Sequence, residues 1–167
     1  LINAGTSWYQ ALQVERVTGQ LDGQPLDRIL LTSRRFPVSG GASHISDAFD
    51  GATVHIHADG QAALETGDFF TTWANRYDSD MPRTTTEPLT EDDVFPMGDG
   101  EIVPLHLPGH TTEGMGFHIP HLSTLILGAL LPRADRPTRW DLPGGSLMDV
   151  IETVSYTHLT LPTKQDV

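Results

Sequence analysis

Residues 29–42 read ILLTSRRFPVSGGA, an apolar run that stops in a polar loop and restarts at a Gly pair. A short apolar run bounded by breakers reads as a buried strand, here Arg28 to Thr32. The apolar residues that follow, Ala42, Ile45, Ala48 and Phe49, fall on one side of a helix predicted from Gly41 to Phe49.

The same alternation runs along the chain. LINAGTS is a short strand ending in a Gly turn, and Ser7 is placed to cap a helix from about Trp8 to Val17 that Gly19 closes. LDGQPLD is a turn-rich connector. ATVHIHA alternates and is β-branched, which predicts a strand, and Asp59 is placed to cap the short helix GQAALETG. Residues 69–91, with Pro82, Pro88 and a Thr run, read as a long surface excursion able to cover a pocket. DVFPMGDGEIVPLHLPGH is a hairpin around Gly98-Asp99-Gly100. MGFHIP and STLILGALL are two more strands, and PGGSLMDVIETV is a Gly turn into a final helix with Leu147, Val150, Ile151 and Val154 on one face. Strands alternating with helices, then a run of hairpins, imply a mixed α/β layered domain.

Composition narrows the function classes. At 167 residues, 38% hydrophobic and 19% charged, the chain suits one domain with a real core. No apolar run approaches the roughly 20 residues that span a bilayer. The N-terminus lacks a secretory pattern, so a cytoplasmic protein with no membrane partner is expected. The absence of cysteine removes disulfides, thiolate zinc sites and cysteine nucleophiles. A metal would need His, Asp or Glu. The formal charge of −12, with Lys164 the one lysine, argues against nucleic acid as a partner. Dense surface carboxylate suggests a salt-adapted source.

VSYTHLTLPT, residues 154–163, follows the final helix with Thr-rich, β-prone residues and no helix-stop Gly or Asn. It resembles the conceptual translation of a transposase sequencing adapter. The expected domain is therefore 1–153, incomplete at its C-terminus and, because the chain opens on Leu1, at its N-terminus as well. Residues 154–167 are then a non-native tail, and His158 is no candidate ligand.

Five segments in order resemble the metallo-β-lactamase superfamily, over nearly the whole chain to about Thr153. LINAGTS looks like an early strand ending Asp-x-Gly, with Asn3 in place of Asp. ILLTSRRFPVSGGA is similar to the strand and loop that read T-H-x-H-x-D-H-x-G-G-A. VPLHLPGHTTEG matches a P-G-H-T-x-G segment, and TLILGALL looks like the strand ending Gly-Asp. RWDLPGGSLMDVIETV is similar to the loop and helix of glyoxalase II-like members. The resemblance implies a four-layer αββα sandwich of two mixed β-sheets with outer helices and a metal pair at one edge. Members are hydrolases and oxidoreductases. Carried across, the first His falls on Ser33, the second on Arg35, the Asp on Pro37, the third His on Val38 and the bridging Asp on Ala129. Only His110 is retained. Zinc takes about three protein ligands plus a water whose pKa drops to about 7. Pro37, Val38 and Ala129 offer no donor, Ser33 is a poor ligand, and Arg35 brings a fixed positive charge. A degenerate centre without a resident cofactor is expected, with zinc or iron returning only if other residues rebuild the site.

The remaining residues leave rival readings. His55 and His57 share a strand face and, with His44 or His106, could bind a metal; otherwise they are a solvated pair. If Ser33, Arg35 and His110 lie together, Arg35 could hold an anionic ligand, or Ser33 could act as nucleophile with His110 as base. Alternatively Arg35 pairs with Asp141 as a structural ion pair. His110 could persist for packing beside the Pro108-Gly109 turn, with Thr111 or Thr112 bonding local backbone. Arg139 and Asp141 fit a role in pinning the loop before the final helix. Trp73, Tyr77, Phe69 and Phe70 line either a pocket mouth or a satellite core. The leading expectation is a non-catalytic or altered-chemistry homologue that binds a small anionic ligand or a partner through Arg35, His110 and Asp141. The alternative is an active hydrolase of esters, thioesters or lactones, using an atypical metal arrangement or the Ser33–His110 pair.

Overall fold

β1 (Arg28–Leu30), β2 (Thr53–His57) and β3 (Glu87–Leu89) form a parallel sheet in that order, with Ile29 opposite Val54 and Ile56 opposite Pro88. The structure, a computed structural model, describes residues 1–131 and 138–160. Parallel neighbours need crossover connections. The first is the short α2 (Phe36–Ser39) with α3 (Ala42–Ala48), and the second begins with α4 (Ala58–Thr66). β4 (Phe95–Met97), β5 (Gly100–His106), β6 (Met115–Ile119) and β7 (Thr124–Ile126) form an antiparallel meander. The α/β class with two sheets and outer helices holds, each sheet being of one type among the described strands.

Two apolar cores result. One lies on the helical side of the parallel sheet and holds Ile29, Leu31, Val54 and Ile56 from the strands with Phe36, Ile45 and Leu64 from the helices. The other lies between the sheets and holds Leu30, Leu89, Met115 and Phe117. Successive strand residues face opposite ways. The short run from Ile29 to Leu31 therefore serves both cores at once.

Several boundaries differ from expectation for identifiable reasons. α1 (Gln10–Leu21) follows a 3-10 turn at Ser7–Tyr9, Ser7 makes no cap bond, and the helix runs through Gly19 to a left-handed Asp22. Gly19 has open space around it, so it does not end the helix. His57, not Asp59, caps α4, its Nδ1 accepting from the Asp59 N–H at 3.4 Å. The excursion after Phe69 contains a 3-10 turn at Ala74–Tyr77 and β3. Pro88 is tolerated in β3 because an edge strand can lack a ladder donor. α5 (Leu147–Thr160) continues past Val154 without a break, meeting no Gly or Pro before Pro162. The expected tail beyond Thr160, with Lys164, lies outside the described residues. No helix among the described residues is long and apolar enough to cross a membrane.

Candidate functional site

The loop after β1 enters the interior as Ser33-Arg34-Arg35, with all three side chains buried. A charge inside a protein must find partners. Arg34 finds Glu113, which is 0% exposed and lies in the turn before β6. Its Nη1 donates to Glu113 Oε2 in a buried ion pair. Glu113 Oε1 accepts from the Arg34 N–H at 3.0 Å and from Ser33 Oγ at 3.1 Å. Ser33 Oγ in turn accepts from the Arg35 N–H at 3.2 Å. One carboxylate thus organises the whole turn.

The strand end is fixed from outside as well. Asn3, left-handed at φ 60°, accepts from Thr32 N–H and Oγ1 at 2.9 and 3.0 Å. The Gly pair is required by close approach rather than by any ligand. A Cβ on Gly41 would meet the Ala4 carbonyl at 2.4 Å, and one on Gly40 the Phe36 ring at 2.7 Å.

Arg35 points another way. Its Nη1 donates to the Thr71 carbonyl at 2.8 Å and its Nη2 to the Pro143 carbonyl at 2.8 Å, while the guanidinium lies 5.3 Å from the Trp73 ring centre. Burial first, then neighbouring Arg34, pushes its pKa down to about 10, so it stays cationic at neutral pH. The Thr71 carbonyl is held in place by Asp68, whose carboxylate accepts from the Phe70 and Thr71 amides at 2.9 and 3.1 Å. The expected Arg35–Asp141 pair does not form. Asp141 instead takes a bidentate grip from Arg139, at 3.0 and 2.6 Å, on an exposed loop.

His110 has a defined tautomer. Its Nδ1 lies 2.8 Å from the Arg139 carbonyl, which can only accept, so Nδ1 carries the proton. Thr138 Oγ1 donates to the Ala129 carbonyl at 2.7 Å and so receives a share of the same N–H at 3.2 Å. Nε2 keeps its lone pair. Burial, with help from Arg35 and Arg139, holds His110 below its usual pKa. Ser33 Oγ is committed to Glu113, so the structure does not join Ser33 and His110 as nucleophile and base. α5 clamps the His110 turn through Thr153 Oγ1 to the Pro108 carbonyl and Ser146 N–H to the Gly109 carbonyl, at 2.8 and 2.9 Å.

One guanidinium, that of Arg35, stands where the resemblance places an imidazole, and Glu113 is consumed by Arg34. Among the described residues no three His, Asp or Glu side chains converge to hold an ion. His55 and His57 are not on a solvated face, as β2 turns them toward the second sheet. His55 packs edge-on against Phe95, and His57 stacks flat on His106 with ring centres 4.3 Å apart. Parallel rings direct their nitrogen lone pairs side by side rather than toward one point.

Sequence reasoning missed Arg34 and Glu113. Adjacent arginines after a buried strand signal a need for an acidic partner, but 22 Asp and Glu residues were available and no local spacing singled out Glu113.

No family model matches the sequence. A curated relative, an uncharacterized protein of Aquifex aeolicus, is 38% identical over 74 residues, which is 44% of this chain and only 35% of that protein. Solved structures share more. The crystal structure of TTHA1623 in a di-iron-bound form superposes with a TM-score of 0.75 at 25% identity, covering 96% of this chain and 75% of that one. The BLEG-1 B3 metallo-β-lactamase superposes with a TM-score of 0.71 at 24% identity, covering 89% and 72%. The chain has the metallo-β-lactamase fold.

Proposed function

We propose that this protein is a metallo-β-lactamase-fold homologue of altered or absent catalytic chemistry that lacks most of the metal ligands and binds a small anionic ligand. The carrying observation is the Ser33–Arg34–Glu113 unit. It fills the loop where the resemblance places metal ligands with a cation–carboxylate pair whose hydrogen bonds are internal. A guanidinium is a permanent cation and excludes a metal ion from its immediate surroundings. Arg35 adds a second buried positive charge and accounts for the preference for an anion.

TTHA1623 is described as di-iron-bound and BLEG-1 as a metallo-β-lactamase. The proposal separates this chain from both by its site residues, since function resides in the site rather than the fold. Elemental analysis of the protein purified from zinc- and iron-supplemented medium is expected to find far less than one ion per chain. About one or two ions per chain, lost on His110→Ala, would return the hydrolase reading to first place.

A further inference from the structure

Arg35, Arg76 and Arg139 belong to the loop after β1, the 3-10 turn at Ala74–Tyr77 and the loop before α5. Their guanidinium carbons nevertheless lie 5.3, 5.7 and 5.4 Å from the centre of one ring, Trp73. The whole chain has only 10 Lys and Arg against 22 Asp and Glu, so this gathering runs against its composition. Compensation is partial. Asp141 pairs with Arg139, Arg35 rests on neutral carbonyl oxygens, and Arg76 has no ion pair among the described residues. Arg35 is 5% exposed, yet its Nε is buried without a hydrogen-bond partner, as is that of Arg34. Such orphaned donors are costly and call for an explanation. Trp73 itself adopts φ 66°, a left-handed conformation that bulky residues rarely accept. Strain of this kind tends to persist where a site needs it.

We propose that this cluster is a binding site for a compact oxyanion, a phosphoryl or carboxylate group, gripped by the fork of Arg76 beside Trp73 and by Arg139 Nη1, the nitrogen of that guanidinium that Asp141 does not hold. Buried Arg35 strengthens the field without giving up its carbonyl contacts. The guanidinium fork matches either oxyanion in two parallel hydrogen bonds. The inference deepens the anion-binding reading above by naming its residues and ligand chemistry, and it rests on that reading.

The test is an NMR titration of the full chain at low ionic strength with inorganic phosphate and, separately, malonate. Arginine Nε–H and Trp73 indole N–H resonances are followed, and metal content is measured on the same sample. Saturable shifts are expected, weakened about tenfold by Arg76→Gln and unchanged by Arg16→Gln on α1. Both variants alter exposed side chains, and circular dichroism confirms that they fold. Tighter phosphate binding assigns the phosphoryl group, and tighter malonate binding the carboxylate. No saturable shift with either probe, or shifts indifferent to Arg76→Gln, overturns the site. Metal-replete protein that still binds anions would sink the reading of the metal centre and leave this site standing. Metal-free protein that binds neither probe would do the reverse.

Discussion

At the scale of single residues, Glu113 matters most, because four groups of the loop after β1 depend on it directly or through Ser33. Removing one member of a buried pair strands the other charge, which costs about 3–5 kcal/mol. Glu113→Gln should therefore lower the urea midpoint by that equivalent, while combining it with Arg34→Met should recover part of the loss. Additive effects in that cycle would show that the pair is not the organising contact. Histidines give a second expectation. His55, His57 and His110 are all held below 6.5, chiefly by burial. In that case the unfolded chain binds more protons as pH falls through 6.5, so stability must fall with pH. The urea midpoint should be flat above about pH 7.5 and decline from about pH 6.5 downward. A midpoint constant across that window would contradict the burial of these rings. Asp68, depressed from 3.8, adds its own loss only at lower pH. The loops that hold Ser33, Arg35 and His110, after β1 and after β5, were legible from the order of the motifs. The partners of these residues were not, because a carbonyl such as that of Thr71 or Pro143 leaves no trace in side-chain identity.

At the scale of elements, patterning located what packing requires. β2, α3, α4 and the hairpin of β4 and β5 carry alternation, helical periodicity or a Gly turn strong enough to read. β3 was hidden because Pro88 suppresses a strand assignment, although an edge position tolerates it. The end of α1 was misread at Gly19 because glycine punctuates a helix only where its neighbours need the space. Gly41 is the opposite case, since a Cβ there would run into the Ala4 carbonyl and Gln13 Oε1. Gly41→Ala should cost about 1–3 kcal/mol through forced displacement of α3 from the first segment. Gly19→Ala should be neutral or stabilising, since alanine is the better helix former. Thermal melts of the two variants check both, and equal effects would refute the packing account.

At the scale of the whole molecule, the net charge of −12 sets the solution behaviour. Self-repulsion between carboxylates is screened by salt, so the melting temperature should rise as potassium chloride is raised from about 0.1 M to about 1 M. A fall over that range would count against the salt-adapted reading. The anion affinity of the arginine cluster should weaken over the same range, which separates global screening from local binding. The strand that feeds the site, with alternate residues in two different cores, has a consequence for motion. Neither core can come apart while the other still grips Ile29 to Leu31, so both should be lost together. Their backbone amide protons should then exchange with deuterium only when the entire molecule opens, and should be among the slowest to do so. The arginine loop is thus tethered to the slowest-exchanging part of the chain.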